Sequence, residues 1–197
     1  MNYALIPLII FAISMCGTPG PNNIMLTASG VNFGFRRSIP HILGVVLGMI
    51  ILFSSAAFGL GVLFELVPFL HSILKILGSI YLLYLAYRIL ISGRSGAKDS
   101  QNRPLSFIEA AAFQFVNPKG LMITITTMST FTLVGEYYWL SVLVILGIFA
   151  SVSTCTMSLW TLFGTIIGSY LKNDSVFKFF NFGMATLLVL SVIYILK

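Results

Sequence analysis

Gly17-Thr18-Pro19-Gly20-Pro21-Asn22-Asn23 interrupts an otherwise apolar run over residues 3–33. Two prolines cannot sit in a regular helix, because each removes an amide donor and clashes with the preceding turn. Gly20 between them adds backbone freedom. In hydrocarbon the freed carbonyls need partners, so unwound backbone is tolerated only inside protein or beside water. The helical piece before the break, residues 3–16, rises roughly 20 Å, which puts the break within the bilayer and past its midplane. Pro21 then suits the first turn of a new helix.

Composition sets these surroundings. Of 197 residues, 58% are hydrophobic and 8% charged, against about 25% charged in an ordinary soluble domain. A soluble core of this size cannot hide so much apolar surface, so the solvent is lipid. Further apolar runs cover residues 38–64, 67–91, 105–134, 138–171 and 175–196. Six spans of roughly 20 residues use most of the chain and leave no room for a soluble domain. A single transmembrane domain over 1–197 is expected. The first run has no Lys or Arg before it, so it is expected to stay in the mature protein rather than act as a signal peptide. The polar linker 93–104 divides the chain into halves of about 1–92 and 104–197.

Basic residues fall in alternate loops. Arg36 and Arg37 follow the first run, Arg88, Arg94, Lys98 and Arg103 surround the linker, and Lys172 and Lys178 follow the fifth run. Glu65 and Glu136 mark the other loops. The basic loops are therefore expected in the cytoplasm and both termini outside. Lys75 and Lys197 are exceptions. The net charge of +6 reports topology and not nucleic-acid binding. Cys16 and Cys155 sit in apolar runs and read as small apolar residues.

The fourth run is broken in the same way, by Asn117-Pro118-Lys119-Gly120. A shift of 97 positions (118 − 21) lays Pro21 on Pro118, Met25 on Met122 and Thr27 on Thr124. Two three-span halves in series have opposite orientations. The expected fold is an all-α membrane protein with six transmembrane helices in a 3+3 inverted repeat, helices 1 and 4 broken. The helix over 106–116 rises roughly 16 Å, to about mid-membrane. Asn117 can cap the half-helix that follows, and Pro118 can open it.

Each second half-helix then starts near the middle with free amides and a positive dipole end. In an inverted pair these ends approach the centre from opposite sides. A carboxylate between them would meet amide donors and the ammonium of Lys119, a cation too costly at that depth unless paired or wet. The expected substrate site is Pro19, Gly20, Pro21, Asn22, Asn23, Asn117, Pro118 and Lys119, with Thr124 and Thr127 lining the same cavity. Against this, prolines in membrane helices are often plain kinks, and a lone lysine can snorkel. Two matched breaks, each beside an asparagine, favour the functional reading.

Glu109 is the one acid within an expected span. It either carries a proton or pairs with Lys119 through water, or it is an interfacial carboxylate. His41 is a proton-coupling candidate or an interfacial histidine. Gly44 with Gly48 and Gly164 with Gly168 are GxxxG pairs that allow close helix approach, within one subunit first and in a homodimer second.

The two interrupted motifs, with Asn32-Phe33-Gly34-Phe35-Arg36-Arg37-Ser38, Gly44 and Gly48, resemble the LysE/RhtB family of amino-acid exporters across the length and span order of the chain. Thr18 before Pro19, Ser106-Phe107, Phe113-Gln114-Phe115-Val116-Asn117 and Ser129-Thr130-Phe131 look most similar to the cysteine and O-acetylserine exporter branch. The resemblance implies a multi-pass protein of the bacterial cytoplasmic (inner) membrane. Such a protein exports small amino acids or derivatives by proton-coupled antiport, with the amino acid, protons and lipid as partners and no cofactor. Many relatives carry Asn-Arg near the start of the last span. Here Asn181 is followed by Phe182, so no role of that arginine carries over.

Other classes weigh less. A divalent metal-ion transporter of a distantly related class would want several intramembrane carboxylates, where only Glu109 qualifies. An intramembrane enzyme would need an acid pair, a His-Glu metal motif or a Ser-His dyad within the spans. A purely structural membrane protein would leave Lys119 unexplained.

Overall fold

The computed structural model describes residues 5–60, 68–92, 103–171 and 173–196. Glu65, Arg94, Lys98, Lys172 and Lys197 lie outside the described residues. Within them all regular structure is helical. The first run forms α1 (Leu5–Gly17) and α2 (Pro21–Phe33), which meet at 55°. Gly34, with φ of 79°, turns the chain into α3 (Phe35–Ser55), three residues earlier than the apolar run begins. A π-turn over Ala56–Leu60 follows, with Gly59 at φ of 94°. The freed carbonyl of Ala57 accepts from the Tyr138 hydroxyl at 2.7 Å. Then come α4 (Pro68–Ile91), α5 (Phe107–Phe113), α6 (Pro118–Phe131), α7 (Tyr138–Tyr170) and α8 (Asp174–Leu196).

Among the described residues, four stretches are long and apolar enough to cross a bilayer: Phe35–Gly59, Ser72–Ile91, Gly135–Tyr170 and Asp174–Leu196. The bent pair α1–α2 makes a fifth when taken as one span. The expected fourth span is broken where the sequence reading has it, but its first helix ends at Phe113 rather than Val116. Its two pieces have 7 and 14 residues, and neither crosses alone. The cause is local. Beyond Phe113 the amides of Gln114, Phe115 and Val116 bond three residues back instead of four, to Ala111, Ala112 and Phe113. A tightened last turn commonly ends a helix. Asn117 is extended, and Pro118 lacks an amide and can only start the next helix.

Two buried apolar clusters stack along the helices. One joins Leu8 and Ala12 of α1 to Phe53 of α3, Ile123 of α6 and Ile145 and Phe149 of α7. The other joins Met25 and Leu26 of α2 to Val45 of α3, Leu82 and Leu85 of α4, Phe113 of α5, Met157 of α7 and Leu188 of α8. Each broken run therefore changes cluster at its break. Asn22, Asn23, Gln114, Asn117 and Ser153, all buried, mark a polar layer at that change. The outward faces are apolar. Phe179, Phe182 and Ile193 of α8 are exposed where lipid would lie.

Backbones approach most closely around the second cluster. Gly44 and Gly48 pack on the carbonyls of Phe107 and Ala111, while Gly164 and Gly168 pack on those of Thr27 and Val31. Both GxxxG pairs are thus used within the chain. A Cβ on Gly164 would stand 2.1 Å from the Thr27 oxygen, backbone that cannot give way cheaply. Gly164→Ala is expected to lower the thermal midpoint of the purified protein, at a cost of about 1–3 kcal/mol. Gly147→Ala, where a Cβ meets nothing within 4 Å, is expected to leave it unchanged. Equal melting of the two variants contradicts this packing.

Candidate substrate site

α1 ends at the first break, and its last carbonyls have no helical amide to accept from. Donors from three residues cover them. Thr18 supplies its amide to Ser14 O at 3.1 Å and its hydroxyl to Met15 O at 3.2 Å. Asn23 Nδ2 reaches back to Cys16 O at 3.0 Å. Lys119 Nζ, from the other broken run, donates to Thr18 O at 2.7 Å and to Thr18 Oγ1 at 2.9 Å. A cation there also sits at the negative end of the α1 dipole. Gly20 makes this possible, because a Cβ on it would stand 2.8 Å from Lys119 Cδ and 3.1 Å from Nζ.

The second break is built from its own residues. Asn117 Oδ1 accepts from the Lys119 amide at 3.2 Å and caps α6, with Pro118 in the first turn. The Val116 carbonyl lies against Gly78 of α4, where a Cβ would stand 2.1 Å away. Gln114 ties the breaks together. Asn22 Nδ2 donates to Gln114 Oε1 at 2.9 Å, and Gln114 Nε2 donates to Asn22 Oδ1 at 3.2 Å. Gln114 also donates to Ala110 O at 2.9 Å, inside its own helix.

A cavity of about 700 Å³ opens beside the paired breaks. Thr18, Pro19, Gly20, Pro21, Pro118 and Lys119 line it, together with apolar side chains such as Ile24, Val116, Met122, Leu187 and Leu190. Lys75 of α4 adds a second cation, and no carboxylate side chain lines it among the described residues. The volume suits a small-molecule site, and the charge suits a ligand bearing a carboxylate. Behind Lys119 lies a hollow of about 20 Å³ bounded by Cys16, Asn22, Asn23 and Asn117.

The expected site residues divide accordingly. Pro19, Gly20, Pro21, Pro118 and Lys119 line the large cavity. Asn22, Asn23 and Asn117 do not, since their amides are engaged in holding the breaks and reach only the small hollow. Thr124 and Thr127 are buried and are not among the residues lining the large cavity. The Thr127 hydroxyl bonds back to Ile123 O at 2.7 Å, the habit of a threonine within a helix.

Glu109 is not paired with Lys119. It forms a capping box with Ser106 at the start of α5 and a two-pronged ion pair with Arg103 at 2.6 and 2.9 Å, with Arg88 at 3.7 Å. Ser106 three residues before an acid is the signature of that cap. His41 is buried within the protein, 1% exposed, with neither ring nitrogen hydrogen-bonded. Sequence reading missed Gln114, Gly78 and Lys75 as parts of the site. A signal existed for Lys75, as an exception to the charge alternation, and for Gln114, as an amide in an apolar run. Gly78 carried none.

Helical spans around a cavity at two paired breaks form the architecture of a multi-pass membrane transporter. The chain belongs to the LysE type translocator family, whose model matches residues 13–196. It is 36% identical over 121 residues to the cysteine/O-acetylserine efflux protein of Escherichia coli O1:K1 / APEC. It is 34% identical over 119 residues to the protein of the same name from Salmonella typhimurium (strain LT2). Each match covers 59% of this chain and spans 59% of the relative's length. No solved structure matches the chain.

Gln114→Leu would strand the buried Asn22 amide, an expected loss of about 1–3 kcal/mol in thermal or denaturant unfolding. Adding Asn22→Leu is expected to recover part of that loss. Strict additivity of the two substitutions contradicts the link between the breaks.

Proposed function

We propose that this chain is a secondary active exporter of small amino acids or their derivatives, with cysteine and O-acetylserine as the first candidates, driven by the proton motive force. The observation that carries the reading is the Lys119 ammonium, held on Thr18 at the wall of a large cavity that no carboxylate side chain lines among the described residues. A substrate carboxylate would take the ammonium and the Thr18 hydroxyl, and its amino group would find the Thr18 carbonyl. The names of the relatives support amino-acid export.

We also infer the six-span inverted repeat, with halves α1–α4 and α5–α8. The packing pattern favours it. α3 lies on α7 and α4 on α8, while α1 and α2 pack on α7 as α5 and α6 pack on α3. Each half thus lays its broken pair on the other half's second span. By the charge pattern, the large cavity opens toward the outer face, since the start of α4 and the end of α8 line it. The opposite side is held shut by a reciprocal amide pair, Asn32 and Asn181 at 2.9 and 3.0 Å, and by Ser29 with Ser38 at 2.7 Å. This is an outward-facing arrangement, and rocking one half against the other would exchange the open side. In this reading Glu109, tied to Arg103 and Arg88, is part of the latch on the sealed side. The metal-ion alternative lacks support, since no three His, Cys, Asp or Glu side chains gather among the described residues.

Proteoliposomes loaded with labelled cysteine are expected to release it faster when an inward proton gradient is imposed. Lys119→Ala is expected to insert normally and slow release at least about tenfold, the loss of one charged hydrogen-bonding partner. Gly20→Ala, which displaces the lysine stem, is expected to fall in between. No gradient-dependent release of cysteine, O-acetylserine, threonine, leucine or lysine would refute export. Unchanged release by Lys119→Ala would remove that residue from the site.

A further inference from the structure

We propose that the protein holds a second carboxylate-binding station, made by His41 and Arg88, on the sealed side of the molecule. It rests on the export reading only for the source of the carboxylate, which would be an amino acid entering from that side. The station is a separate cavity. Lys75 borders the large cavity, while Arg88 borders this one, 13 residues further along α4 (88 − 75), or about 20 Å of helix.

Three observations converge there. First, His41 lines the cavity with both ring nitrogens buried and unbonded. A buried N–H without an acceptor is costly, and native structures rarely leave one so. Second, the charge is unbalanced. Arg88 and Arg103 share Glu109, two guanidinium groups to one carboxylate. Arg103 takes the short bonds to it, and Arg88 keeps only the 3.7 Å approach plus a 2.9 Å bond to Arg103 O. Among the described residues the cluster thus carries one positive charge in excess, and no carboxylate side chain lines the cavity. Third, the space is about 40 Å³, enough for roughly three waters. That fits the three heavy atoms of a carboxylate but not a whole amino acid.

The gate residue Asn32 also lines the cavity. Parting of Asn32 from Asn181 would let the rest of a substrate follow its carboxylate. The same parting would uncover the His41 N–H, which is closed off in the sealed arrangement, and with the Arg88 fork it would hold the carboxylate oxygens, in the manner of charge-assisted pairs. From there it would pass to Lys119. Chloride and phosphate are anions too, so the experiment must separate them.

The chain has two histidines, His41 and His71. Full-length protein with 15N-labelled histidine in nanodiscs therefore gives few signals, and His71→Gln assigns them. Sodium acetate is expected to move the His41 resonances saturably, while methyl acetate, its neutral ester, does not. Chloride, which has no two-oxygen match to the guanidinium, and phosphate, whose tetrahedral group is bulkier than a carboxylate in a space of about 40 Å³, are expected to act only at about tenfold higher concentration. Arg88→Gln is expected to abolish the acetate response, and Lys119→Gln to preserve it. Should Arg88→Gln not fold, Arg88→Lys keeps the charge without the fork and is expected to weaken acetate about tenfold. The proposal is overturned by no saturable acetate response, an equal response to the ester, chloride or phosphate acting as strongly as acetate, or a full response in the arginine variant. No transport is measured, so failure of this titration and failure of export are distinct results.

Discussion

A helix broken by proline inside hydrocarbon must find donors for the carbonyls it leaves behind, and the rest of this structure depends on how that demand is met. The donor for Thr18 O is Lys119, which belongs to the other half of the chain. One ammonium therefore meets the backbone need of the first break and fixes how the two halves lie together. The same bridge gives the half-buried lysine a partner. Neither half is complete alone. The first supplies the acceptors at Thr18, and the second supplies the ammonium that meets them. Gly20 leaves room for the bridge, since a side chain there would push on the lysine stem.

Around the bridge the molecule is layered. Apolar packing lies on both sides of a polar belt in which Asn22, Gln114, Asn117 and Asn23 satisfy one another and the cut ends of helices. A belt of neutral amides is suited to rearrangement, because its hydrogen bonds can be exchanged without stranding a charge. The glycine contacts are unevenly placed. They press α3 on α5 and α2 on α7 around one cluster, while the cavity opens beside the other end of the breaks. An arrangement tight on one side and open on the other is what alternating exposure of one site requires.

Much of this was legible in the sequence for a simple reason: proline and glycine constrain the backbone whatever surrounds them. The breaks at Pro19–Pro21 and at Asn117–Pro118 fell where those residues stood, and so did the cap on α6. Side-chain direction was not legible. Asn22 and Asn23 sit in the motif yet turn away from the cavity, because which face a residue presents depends on where the partner helix lies. Glu109 was ambiguous for the same reason, and the nearby Arg103 decided it. Gly78 mattered only because Val116 O lies against it, a contact between residues 38 positions apart (116 − 78) that no local pattern announces. The fourth run, read as a broken span, lies as two short helices because the turn after Phe113 tightens before Asn117.

The central claim, that Lys119 bridges the halves on Thr18, is tested most directly by distance-dependent dipolar dephasing in solid-state NMR. Protein in lipid bilayers would carry 15Nζ-lysine and 13C-carbonyl threonine. The account predicts strong dephasing for one lysine ammonium, as expected for the 2.7 Å contact to Thr18 O. That dephasing should vanish in Thr18→Ser, which keeps the hydroxyl and carbonyl but loses the labelled carbon. Dephasing that is absent from the wild-type protein, or that persists in Thr18→Ser, would contradict the bridge.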